Sequence, residues 1–160
     1  MPVEQRLEAL GLALPDELQL PPGVEIPFQL VRVRSDRPFV SRHGALASDG
    51  KPLGPFRKVP SEVSLEDGQK STRLAMLAIL SSLKAALGDL ERVTAWAMVN
   101  GFVNADPGYS KTTLVMNPVS ELLLELYGHE AGAHARTAIG VAGVPLNLPV
   151  IISAEVEVAT

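Results

Sequence analysis

The sequence predicts a single α+β domain, and three observations carry that prediction. Strand-like and helix-like segments follow one another in the order β-β-α-β-α-β-β, so two long helices are available to cover one face of one mixed sheet. The chain has 160 residues, a size that suits one core better than two. Hydrophobic residues make up 46% of it against 20% charged, enough apolar surface for a packed interior. With both helices on one face, the other sheet face is left without a cover. Its Val and Ile side chains therefore predict association with further copies of the chain.

At the N-terminus, Val3, Leu7 and Leu10 recur at helical spacing with Glu4 and Glu8 on the opposite side, and Gly11 ends that helix. Pro15, Pro21, Pro22 and Pro27 punctuate the irregular connection that follows. Residues 1–24 thus read as a helix and arm, and 25–160 as the core of the domain. From Phe28 to Arg34, Val31 and Val33 alternate with Arg32 and Arg34 as a half-buried strand requires. Ser35-Asp36-Arg37-Pro38 is a turn signal, Phe39-Val40-Ser41 a second strand, and a loop rich in glycine and proline runs on through Pro55.

Ser64 with Asp67 three residues on is an N-cap with an acidic first turn; Leu74, Leu77, Leu80, Leu83 and Leu87 then repeat at helical spacing until Gly88. Arg92 to Val103 reads as a strand covered on both faces for part of its length, with Gly101 marking a bulge. Asn117-Pro118 predicts the start of the second long helix, with Val119, Leu122, Leu123 and Leu126 on its core face and Gly128 at its end. His134 to Val141 and Val150 to Val158 are the last strands. In the final one Val150, Ile152, Ala154, Val156 and Val158 share one face, and Glu155 and Glu157 lie on the other.

Composition excludes several function classes. A net charge of −4 with 4% aromatic residues offers neither a basic stripe nor a set of stacking rings, so nucleic acid is an unfavoured partner. With no cysteine there is no disulfide framework, thiolate zinc site or cysteine nucleophile. His43, His129 and His134 stand in no metal-binding spacing, and the glycines do not follow a phosphate-cradling pattern, so neither a metal nor a cofactor is expected. No apolar run approaches the roughly 18 residues of a membrane span. No membrane partner and a cytoplasmic location are the expectations.

Three stretches together resemble the RidA/YjgF family of reactive-intermediate deaminases, also known as endoribonuclease L-PSP-like proteins. The most specific is Ala135-Arg136-Thr137-Ala138-Ile139-Gly140-Val141-Ala142-Gly143-Val144-Pro145, with the strand from Val150 behind it. Pro27-Phe28-Gln29-Leu30-Val31-Arg32-Val33 with Phe39-Val40-Ser41 is similar to the family's opening hairpin, and Val99-Asn100-Gly101-Phe102-Val103-Asn104 follows its central pattern. The N-terminal helix and the long segment from Arg42 to Gly68 resemble the longer-chained branch of the family. The resemblance implies a chorismate-mutase-like fold assembled as a homotrimeric barrel with clefts between subunits.

In such a cleft Arg136 would bind the carboxylate of a small ligand, a task for which the planar guanidinium fork is well shaped. The backbone N–H of Ala138 would add a donor, and Ser41 matches the family's cleft serine. Other positions depart from the pattern. The glutamate that holds the attacking water is Ile151 here, Ser153 stands where a second glutamate is frequent, Phe28 replaces a tyrosine, and Arg42 replaces a glycine. His43, two residues beyond Ser41, is the candidate for acid–base work in the glutamate's place. These departures separate a hydrolase similar to 2-iminobutanoate/2-iminopropanoate deaminases from a cleft that binds without chemistry. An RNA-acting endoribonuclease-like protein and a non-catalytic interaction trimer are the alternatives.

Overall fold

In the computed structural model, which describes all 160 residues, the Ser64 hydroxyl accepts a hydrogen bond from the Asp67 N–H at 3.0 Å and opens helix α2, Leu65–Leu87. Gly88 ends the helix at φ 85°, a conformation that costs glycine little. Leu77, Leu80, Leu83 and Leu87 are buried along it, with Met76 and Ile79 beside them. The other elements are α1 (Val3–Ala9), β1 (Val31–Arg34), β2 (Arg37–His43), β3 (Val93–Asn104), α3 (Thr112–Gly132), β4 (Ala135–Val141) and β5 (Val150–Val158). The opening strand is shorter than the sequence suggests, since Phe28 precedes β1, and the second strand extends two residues further in each direction.

The five strands form one mixed sheet in the order β1-β2-β5-β3-β4, antiparallel except for the parallel pair β3–β4. One face carries Val40, Val99, Val103, Val150, Ile152, Ala154 and Val156, all buried beneath α2 and α3. Trp96, 1% exposed, completes this layer and meets Tyr127 of α3 edge to face at 5.7 Å. Val3 and Leu7 of α1 join the same core at its end. The opposite face has no helix. Across it run the neighbours Ile139, Phe102 and Ile151, then Thr137, Asn100 and Ser153, and Ile139 is 46% exposed.

Two sequence expectations are corrected. The second long helix begins at Thr112, so Asn117-Pro118 is not its cap and Pro118 lies inside it. A proline there removes the donor for the carbonyl four residues back, that of Leu114. Gln69 of α2 supplies the missing donor, its amide lying 2.8 Å from the Leu114 oxygen. At Gly128 (φ 78°, ψ 175°) the helical path breaks, and one further turn leads to Gly132. The second correction is Gly101, which is paired on both sides, to Ala138 and to Ile152, and is no bulge. Its glycine is a packing requirement, because a Cβ there would lie 2.3 Å from the Met116 sulfur.

Candidate functional site

Besides the register shifts near the start of β3, between Val93 and Ala95 and between Trp96 and Met98, the sheet has one in β2. Val40 pairs with Ala154 and His43 with Ile152, so Ser41 and Arg42 together face the single residue Ser153. This turns Ser41 and Arg42 towards a cavity of about 590 Å³ that Phe28, His43, Ile151 and Ser153 also line. Its outer wall is built by segments around the sheet. Residues 45–53 fold back on themselves, with the Leu53 N–H on the Ala45 carbonyl at 2.9 Å, and present Leu46 and Pro52. The N-terminal arm is stitched to that turn by the Asp16 N–H on Ser48 and the Gln19 N–H on Gly50, both at 2.9 Å, which brings Leu18 to the cavity.

Inside the cavity the polar groups are few. The Ser41 hydroxyl donates to the Gln29 carbonyl at 2.7 Å, leaving its oxygen free to accept. The Arg42 guanidinium lies 4.9 Å from the centre of the Phe102 ring, a cation–π contact on the uncovered sheet face. Glu155 is paired elsewhere, to Arg37 at 3.0 Å. Ile151 is 8% exposed and brings no acid or base. His43 is engaged on both sides: Nδ1 lies 2.6 Å from the Ser41 carbonyl and Nε2 2.8 Å from the Ser82 hydroxyl of α2. The carbonyl can only accept, so Nδ1 keeps its proton and donates it, Nε2 accepts from Ser82, and no ring nitrogen remains for a substrate. Burial pushes the pKa of this ring down, opposed in part by the Ser41 carbonyl.

Arg136 is not in this cavity. It stands on β4, at the sheet edge, on the face that packs against α3. Nη1 donates to the Ser120 hydroxyl at 3.1 Å, and Nη2 to the Asn117 side-chain oxygen at 3.1 Å and the Thr113 carbonyl at 3.4 Å. The first turns of α3 therefore fix the plane of the guanidinium. Desolvation lowers its pKa from the ordinary arginine value. Ala138 lies two residues along the same face, and its carbonyl accepts the Thr112 hydroxyl at 2.9 Å. Of the residues singled out in the sequence, Phe28, Ser41, Arg42, His43, Ile151 and Ser153 thus share one cavity, while Arg136 and Ala138 occupy the edge strand with β3 between them and it.

Over 99% of its length the chain superposes on the protein Atu1372 of Agrobacterium tumefaciens, a protein of unknown function, with a TM-score of 0.86, 31% identity and 92% of that chain covered. A candidate endoribonuclease from Shewanella oneidensis MR-1 matches with a TM-score of 0.87 at 26% identity, over 99% of this chain and all (100%) of that one. The chain belongs to the RidA/YjgF family. No family model matches the sequence. Among curated proteins, Protein TCP17 of Trypanosoma cruzi is 39% identical over 97 residues, 61% of each chain, so this chain spans under two thirds of that relative's length.

Within this RidA/YjgF chain, the residues that sequence reasoning passed over are those around Arg136. Ser120 also lies 2.9 Å from Nε2 of His134, whose Nδ1 is 2.7 Å from the Gly132 carbonyl. Asn117 and Ser120 stand one turn apart on α3, and His134 and Arg136 flank Ala135 at the head of β4. Each pair is spaced to share a face, which is the only signal the sequence held.

Proposed function

We propose that this chain binds a small carboxylate-containing metabolite through Arg136, in clefts that form between the subunits of a homotrimer. The observation that carries the reading is the state of the Arg136 guanidinium. Three of its five N–H groups are taken by Ser120, Asn117 and Thr113, and Nε–H and one Nη1–H remain, each able to donate singly to a carboxylate oxygen. A fork already held by neutral acceptors loses little side-chain freedom when a ligand arrives. The Ala138 N–H is the further donor.

The trimer is supported by two features. Ile139, Phe102 and Ile151 form an apolar row on a sheet face that no helix covers. The cavity lined by Ser41, Arg42, Phe28 and Ile151 lies on the other side of β3 from Arg136, so a cleft that uses both needs a second copy to bring the halves together. Action on RNA is supported only by the names of structural neighbours, the Shewanella relative among them, and a net charge of −4 opposes it.

The test is thermal unfolding with and without millimolar 2-oxobutanoate. A ligand bound only by the native state raises Tm by mass action. The rise should vanish in Arg136→Ala and shrink in Arg136→Lys, which keeps the charge and loses the fork. An unchanged rise in both variants removes Arg136 from the site.

A further inference from the structure

Beside Arg136 the hydrogen bonds run in one direction. Nη1 of Arg136 donates to the Ser120 oxygen at 3.1 Å. The Gly132 carbonyl, 2.7 Å from Nδ1 of His134, has no proton to give, so Nδ1 carries one and Nε2 holds a lone pair. The Ser120 hydroxyl, 2.9 Å from Nε2, therefore donates to it. A hydroxyl, an imidazole that accepts its proton and a carbonyl that orients the imidazole are the parts of a proton-transfer pair. The guanidinium adds positive charge beside the hydroxyl oxygen, which favours its loss of a proton.

The turn that delivers the orienting carbonyl is closely built. A side chain at Gly132 would place Cβ 2.5 Å from the Leu123 carbonyl oxygen, so only glycine lets the chain double back on α3 at that point. Ser120, His134 and Arg136 are each partly open to solvent, whereas His43 is sealed and spent on Ser41 and Ser82.

We propose that Ser120 and His134 are the proton-transfer pair of this chain, acting at C2 of a 2-imino acid whose carboxylate rests on Arg136. This rests on the reading of Arg136 given above. Water adds to C2 of the protonated imine, and the electron pair of the C=N double bond moves to nitrogen. The water proton passes to Ser120 as the Ser120 proton passes to Nε2 of His134. The same route returns a proton to the amine nitrogen, the C–N bond breaks with its electron pair on departing ammonia, and the hydroxyl on C2 loses its proton to solvent as the 2-oxo acid forms. Ser120 is the catalytic residue in this sequence, and His134 acts through it. The pair takes over the task that Ile151 cannot perform.

The test uses the full chain with 2-iminobutanoate generated in place by an amino-acid oxidase, and follows kcat, KM and the rise in Tm with 2-oxobutanoate. His134→Ala should lower kcat at least a hundredfold with KM and the Tm rise retained, and Ser120→Ala should lower kcat as much while the Tm rise shrinks, since Arg136 loses one of its acceptors. If His134→Ala does not fold, His134→Gln keeps an acceptor for Ser120 without a basic nitrogen and carries the same expectation. A kcat within threefold of wild type in these variants, or a rise in KM alone, overturns the proposal. A wild-type chain that shows the Tm rise and no turnover overturns it too, and leaves carboxylate binding standing. Absence of any Tm rise in wild type overturns the binding reading and this proposal with it.

Discussion

The Gln69 side chain donates to the Leu114 carbonyl at 2.8 Å, so a residue of α2 completes a hydrogen bond that Pro118 denies to α3. Two helices packed on one sheet face are thereby joined through a gap in one of them. The gap lies one turn from Asn117 and Ser120, the side chains that hold Arg136.

Replacing Gln69 by Ala should cost about 1 kcal/mol, the usual net worth of such a bond. In a Pro118→Ala background the residue at 118 regains its N–H and can serve Leu114 itself, so the cost of Gln69→Ala should fall towards zero. Urea unfolding of the four proteins measures that coupling. Equal costs in both backgrounds would show that Gln69 acts elsewhere.

Gly101→Ala should destabilise the fold by about 1–3 kcal/mol, the range for forcing an extra methyl into a packed core. The clash is with Met116, which is wholly buried, so its flexible side chain has little room to retreat. The penalty should be smaller in a Met116→Ala background, read from denaturant midpoints.

His43 makes stability depend on pH in a known direction. Its pKa is lowered in the folded state from 6.5, chiefly by burial, so the unfolded chain binds the proton more readily. The contribution of the neutral ring is whole above 6.5 and is lost as pH falls below it towards the depressed folded value. Wild type should lose more stability than His43→Gln between pH 7.5 and 5, compared by urea midpoints. Parallel pH profiles would contradict the buried neutral ring.

If copies of the chain meet through the open sheet face, a charge in its apolar row should separate them. Ile139 is 46% exposed in the single chain, so Ile139→Asp leaves the folded subunit intact and acts on assembly. Sedimentation velocity should show trimer for wild type and smaller species for the variant. A trimer that survives the substitution places the contact on another surface.

How much of this was legible in the sequence depends on the range of the interaction concerned. Helix α2 was readable end to end, since the Ser64 cap, the leucine repeat and Gly88 are local signals. Strand β5 was readable because period-two alternation of buried residues is local as well. The start of α3 was misjudged because Asn117-Pro118 carries the chemistry of a cap, and only Gln69, far away in sequence, reveals that the helix runs through it. The bulge that turns Ser41 and Arg42 into the cavity belongs to the pairing with β5 and leaves no mark in β2 alone. Arg136 was singled out by a motif, but its neighbours Ser120 and His134 meet only after the chain reverses between Gly128 and Gly132.

If Arg136 and the cavity are halves of one cleft, as proposed, their separation by strand β3 gives each chain two half-sites and no whole one. In a closed ring of three, every cleft then takes its anchor from one chain and its walls from the next. Damage is accordingly distributed by origin. A preparation of Arg136→Ala subunits and one of subunits with a blocked cavity would each be inert, yet exchange between them would regenerate a cleft wherever an intact anchor meets an intact wall.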